Sequence, residues 1–126
     1  MTQRDLATLS ATDIVELVKT REISPVEVVE AALDRIERCN PTLNAVVTLN
    51  EEAIEDARVL EASMKSASDF PVLCGVPVGI KDLTPVAGLR TTYGSPIFSG
   101  HIPKEDAIVV QRLRNEGAII VGKTNT

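Results

Sequence analysis

The apolar positions of this chain change period along its length. Ile14, Leu17 and Val18 share one helical face behind Ser10-Ala11-Thr12-Asp13, where Ser10 can cap, and the pattern predicts a helix ending near Thr20. Ser24-Pro25-Val26-Glu27 is a stronger start signal. Ser24 can cap, Pro25 suits the first helical position, and Glu27 completes a capping box. Val26, Val29, Leu33 and Ile36 follow as one apolar stripe, and Asn40-Pro41 is predicted to stop the helix. Asn44 to Leu49 reads as a short strand. Asn50 is predicted to cap a third helix, with Glu51 and Glu52 in its first turn and Ala53, Ala57, Leu60 and Met64 as its buried stripe. Ser63 to Asp69 is small and polar, hence a loop.

From Gly75 the period becomes two. Val76, Val78 and Ile80 predict a strand that ends in Lys81-Asp82, with Pro77 near its start or on an edge. Gly75 and Gly79 leave room for something to approach the backbone. A long irregular stretch, Leu83 to Glu105, follows; a connection of that length is usually functional or disordered. Asp106 is predicted to cap the last helix, with Ile108, Val109, Val110 and Leu113 apolar and Gly117 as its C′ residue. Ala118 to Val121 reads as a fully buried strand. Val76 to Val121 therefore forms a βαβ pattern, which predicts two parallel strands joined by a right-handed crossover.

Composition narrows the function classes. The chain has 126 residues, a net charge of −5 and only 2% aromatic residues, so the core must be aliphatic. An acidic chain poor in aromatics argues against nucleic acid as a partner, because phosphate binding wants a basic face and single strands want stacking platforms. No apolar run approaches the roughly 20 residues that span a bilayer, and no signal-peptide h-region follows Met1, so no membrane is expected and the chain reads as cytoplasmic. Cys39 and Cys74 are the only cysteines and His101 the only histidine; their spacing suits neither a disulfide scaffold nor a zinc site, and no metal or cofactor is expected.

Lys81 is the first candidate for chemistry. Open α/β sheets build their sites at the carboxyl ends of strands. An apolar setting there would disfavour the ammonium form and leave a neutral amine able to act as a base. A lysine reaching into solvent beside Asp82 is the plainer reading of the spacing alone. Ser95, Ser99, Thr91, Thr92 and Cys74 are candidate nucleophiles, but none lies in a G-x-S-x-G elbow. Gly117 to Thr124 satisfies the G-x-x-x-x-G-K-[ST] expression of a P-loop nucleotide binder. A helix precedes Gly117, however, and Ala-Ile-Ile-Val prefers a strand, so the order of elements is inverted relative to that motif. A non-catalytic interaction module is the other alternative.

Four blocks go beyond generic physics. Gly75-Val76-Pro77-Val78-Gly79-Ile80-Lys81-Asp82, then Gly88-Leu89-Arg90-Thr91-Thr92-Tyr93-Gly94-Ser95, then Asp106-Ala107 with Val110 and Leu113, then Gly117 to Asn125 resemble consecutive blocks of the amidase signature family. The Ser24-Pro25-Val26-Glu27 helix start and the Asn44-Ala45-Val46-Val47 strand are similar as well, so the resemblance covers nearly the whole chain. It implies an α/β fold in which N-terminal helices cover part of a mixed β-sheet that includes the βαβ unit. Residues 1–126 would form the N-terminal part of a single domain, with 1–70 mainly helical and 71–126 forming sheet. It implies hydrolysis of amide C–N bonds by a Ser–cis-Ser–Lys triad, with Lys81 as the base and a small-molecule amide as partner; a homo-oligomer is compatible with it. The Gly-Ser-rich block that carries the family's two serines lies past the G-K-T-N block, so the resemblance implies that both serines fall beyond Thr126 and that this chain alone is inactive. Cut there, the sheet is expected to leave Val78, Ile80, Ile119 and Val121 on an unpaired edge or face.

Overall fold

The computed structural model describes residues 1–126, the side chain of Gln3 excepted. Helices α1 (Gln3–Leu6), α2 (Ala11–Lys19) and α3 (Pro25–Leu43) open the chain. Strand β1 (Val46–Leu49), helix α4 (Ala53–Met64), strand β2 (Pro77–Lys81), helix α5 (Ile108–Asn115) and strand β3 (Ile119–Thr124) follow.

The start signals work as their chemistry predicts. Ser10 accepts from the Asp13 amide at 3.1 Å, and around α3 both halves of the capping box form, Glu27 N–H to Ser24 Oγ at 3.0 Å and Ser24 N–H to Glu27 Oε2 at 2.8 Å. The end of α3 does not follow expectation. The helix runs through Pro41 and closes at Asn44, which is left-handed at φ 47°. Pro41 sits in the last turn, where its missing N–H costs one hydrogen bond at an exposed position. Asn40 compensates by exchanging two 2.8 Å bonds with the backbone of Val46, which fixes the entry into β1.

Two other expected caps serve as ties instead. Asn50 does not cap α4. Its side chain donates to the Ile120 carbonyl at 2.8 Å and accepts from the Glu52 amide at 3.1 Å, which joins the turn after β1 to β3. Asp106 does not cap α5. It accepts from the Ala87 amide at 2.7 Å and pairs with Arg114 at 3.0 Å, so it pins the long loop to that helix. Gly117, at φ +84°, follows α5 as its C′ residue.

The sheet is mixed, in the order β1-β3-β2. β2 and β3 are parallel, as the βαβ pattern predicts, and β1 adds antiparallel to the other edge of β3. Val78 pairs with Ile120 but Gly79 pairs with Gly122, so Val121 is an extra residue in β3, a bulge that shifts the alternation of side chains. Ile120 and Lys123 consequently share the face of Val78 and Ile80.

Both faces of the sheet are covered, so Val78, Ile80, Ile119 and Val121 form no bare apolar face; the alternative expectation, an unpaired edge, holds for β2, which carries Val78 and Ile80 and among the described residues pairs with β3 alone. On one side Ile119 and Val121 pack with Val29, Ala53 and Ala57 of α3 and α4. On the other, Ile80 and Ile120 pack with Val86, Leu89 and Val110. The loop after β2 is therefore not a plain surface loop: Val86 and Leu89 drop into the core as part of the wall over β2 and β3. Helix α3 also carries a second apolar stripe, because Val28 and Ala31 join Ile14, Val18, Cys74 and Val76 in a cluster beside α2.

Candidate functional site

The parallel pairing of β2 and β3 brings their carboxyl ends side by side, with Lys81 opposite Thr124 and Ile80 opposite Lys123. Gly79 lets the strands fit: a Cβ there would lie 2.8 Å from Thr124 Cγ2. Lys81 is the last residue of β2 and is exposed. The desolvated setting considered for it is not supplied by these residues, because the bulk of the apolar loop covers the opposite face, that of Ile80. Its side chain makes no hydrogen bond or ion pair among the described residues, while its carbonyl accepts from the Thr84 amide at 2.9 Å to start a tight turn.

The next residue turns inward. Asp82 is buried; its carboxylate accepts from the Thr92 amide at 3.0 Å and from the Thr92 hydroxyl. Its backbone is equally engaged, donating to the Thr124 carbonyl and accepting from the Tyr93 amide, both at 2.9 Å. Thr91 is fully buried and its amide donates to the His101 carbonyl at 2.9 Å. The Thr92-Tyr93 stretch of the loop thus lies against the residue that follows Lys81.

Lys123 completes this arrangement, and the sequence reading missed it. Its side chain is 0% exposed. Its amine donates to the Thr84 carbonyl at 2.6 Å and to the Thr91 hydroxyl at 2.7 Å, with the Asp82 carboxylate 3.8 Å away. Burial pushes this amine below its ordinary range, and the Asp82 charge partly opposes the shift. The available signal was a lysine one glycine beyond a wholly apolar strand, which the P-loop expression disguised. The structure removes the P-loop: residues 119–124 are one extended strand, and the Lys123 amine faces the interior rather than a phosphate cradle.

The candidate nucleophiles are placed as follows. Thr91 touches a lysine amine, but both groups are buried. Thr92 is bound to Asp82. Ser95 Oγ accepts from the Ile97 amide at 3.3 Å and caps a short 3₁₀ turn. The Ser99 carbonyl accepts from Arg90 at 3.0 Å. Cys74 is buried with Sγ 3.5 Å from Met64 Sδ, and its thiol is pushed up by that burial. None of them is bonded to Lys81. Among the described residues no three or more His, Cys, Asp or Glu side chains gather as metal ligands, and no helix is long and apolar enough to cross a membrane.

Solved structures share this layout of helices over a mixed sheet. A bacterial aryl acylamidase of the amidase signature enzymes superposes with a TM-score of 0.88 at 34% identity, covering 97% of this chain and 26% of that one. The peptide amidase of Stenotrophomonas maltophilia does so with a TM-score of 0.88 at 31% identity, over 94% and 25%. The architecture is that of the amidase signature enzymes. The Amidase family model matches residues 27–126, and the chain belongs to that family. Among curated relatives, a subunit of the glutamyl-tRNA(Gln) amidotransferase of Carboxydothermus hydrogenoformans is 44% identical over 96% of this chain. An acylamidase of Rhodococcus erythropolis is 40% identical over 100% of it. The chain spans about a quarter of the length of each, 25% and 27%.

Proposed function

We propose that this chain is the N-terminal part of a single-domain amidase, and that Lys81 is the base of its Ser–cis-Ser–Lys triad. The observation that carries the reading is the Lys81-Asp82 block at the carboxyl end of a parallel strand, within a chain whose family is Amidase. Lys81 presents an exposed amine where a nucleophile from another part of the protein can reach it, while Asp82 is turned inward to hold the loop. In its neutral form the amine takes a proton from the nucleophilic serine through the bridging serine, and the serine attacks the amide carbonyl. Both serines lie outside residues 1–126, so the chain alone turns over no amide. Relatives at similar identity include an acylamidase and one subunit of an amidotransferase, so the substrate is stated as an amide C–N bond.

The test is amide hydrolysis by the intact enzyme with and without Lys81→Ala. Loss of a general base costs on the order of 10²–10⁴-fold in kcat. Full activity in that variant would end the assignment of Lys81. Amide turnover by residues 1–126 alone, abolished by Lys81→Ala, would overturn the placement of the serines and make a hydroxyl of this chain, such as Ser95, the partner of Lys81.

A further inference from the structure

We propose that Lys123 is a positioning residue for Lys81: its buried amine fastens the start of the loop that leaves β2, at Thr84, to a later point of the same loop, at Thr91, and so fixes the direction in which Lys81 presents its own amine. The proposal rests on the reading of Lys81 as the base.

Two separate stretches of the loop meet on one cluster. Lys81 accepts from the Thr84 amide at 2.9 Å, and the Thr84 carbonyl accepts from Lys123 at 2.6 Å. Further along the loop, the Thr91 hydroxyl accepts from the same amine at 2.7 Å, and the Thr92 amide donates to Asp82 at 3.0 Å. Lys123 is itself held on both sides, opposite Ile80 of β2 and Thr48 of β1. A single side chain thus transmits the position of the central strand to a loop with no regular ladder of its own.

An apolar residue would be the ordinary occupant of a site with 0% exposure, because burying an amine is costly. What an apolar residue cannot do is donate to acceptors from two separate stretches of the loop at once. Without the amine, the partly buried Thr84 carbonyl and the buried Thr91 hydroxyl lose their donor, and the loop must shift to re-pair them. The shift passes through the Lys81–Thr84 turn to the peptide that carries the Lys81 side chain. A misplacement of about 1 Å at a reacting group can cost as much as about 10²-fold in rate.

The experiment uses Lys123→Met, which keeps length and removes the donor, and Thr91→Val, a smaller change that decides the matter if the first variant does not fold. In the intact enzyme, kcat is expected to fall about tenfold or more with KM within roughly twofold, and Thr91→Ser should recover most of the loss seen in Thr91→Val. In the same intact enzyme, labelling with an amine-reactive ester read by mass spectrometry should change the ratio of Lys81 to Lys65 modification by about threefold or more in both loss variants. A merely structural role would lower the melting temperature and leave kcat and that ratio alone in the folded fraction; this result overturns the proposal. Lys81→Ala separates the two ideas. If it destroys turnover while folded Lys123→Met and Thr91→Val keep full kcat, the base stands and the positioning role falls. If Lys81→Ala keeps full activity, the base reading fails and takes the positioning role with it, whatever the labelling ratio shows.

Discussion

Lys81 and Lys123 stand one rung apart on adjacent parallel strands, yet Lys81 is exposed and Lys123 is 0% exposed. The difference predicts opposite sensitivities of the fold. Removing one member of a buried, paired set leaves its partners uncompensated, so Lys123→Met should destabilise the protein by about 3–5 kcal/mol. Lys81→Ala removes a side chain with no partner among the described residues and should stay within about 0.5 kcal/mol. Denaturant unfolding of the two variants checks this. Equal effects would mean that Lys123 is not held as described.

The same burial predicts a pH dependence. Lys123 has its affinity for a proton lowered by burial, below the ordinary value of 10.5, with Asp82 opposing. Between the folded and unfolded values the unfolded chain binds more protons, so stability from this group rises with pH through that window and is lost as pH falls through the folded value. The useful quantity is the stability difference between the protein and Lys123→Met, which isolates this amine. That difference should move in favour of the parent as pH is raised from neutral toward 10.5. A difference flat across that range would contradict a buried amine with a lowered proton affinity.

The bulge in β3 predicts a contrast between two glycines. A Cβ on Gly122 would lie 2.5 Å from the Thr48 carbonyl oxygen, a backbone atom of the paired strand that cannot turn aside. A Cβ on Gly79 would meet Thr124 Cγ2 at 2.8 Å, the end of a partly exposed side chain that can rotate. Gly122→Ala should therefore cost at least about 2–3 kcal/mol and Gly79→Ala about 1 kcal/mol or less. Thermal melts of both variants test the order; a more harmful Gly79→Ala would mean that β3 does not approach β1 in this register.

These residues also show what could be read in advance. The capping box at Ser24, the parallel pairing of β2 with β3 and the strand ending at Lys81 follow from local chemistry and short-range pattern, and the sequence carries both. The Pro41 turn was misread because a local rule met a compensation supplied by Asn40 and Val46, which only the folded chain brings together. Lys123 was missed for a deeper reason. Strict alternation through Ile119 to Thr124 puts Lys123 with Ile119 and Val121, on the face of α3 and α4. The bulge at Val121 reverses it onto the face of the loop, and no periodicity in β3 alone announces an extra residue. Thr84 and Thr91, which receive its amine, are 39 and 32 positions away in sequence.

The last contrast concerns the cysteines. Cys74 is 0% exposed, sits in the cluster of Ile14, Val18 and Val76, and has Sγ 3.5 Å from Met64 Sδ. Burial raises its thiol above the ordinary value of 9.0, with Lys19 opposing weakly, so both access and thiolate fraction are low. Cys39, on α3, is only partly buried. A disulfide-exchange reagent at mildly alkaline pH should therefore modify Cys39 quickly in the native protein and reach Cys74 only on unfolding. Cys74→Ala should cost about 1–2 kcal/mol through the lost sulfur contacts and the small cavity. The rate of Cys74 modification would then report opening of the cluster between α2, α3 and the turn before β2. Equal native-state rates for the two thiols would place Cys74 outside that cluster.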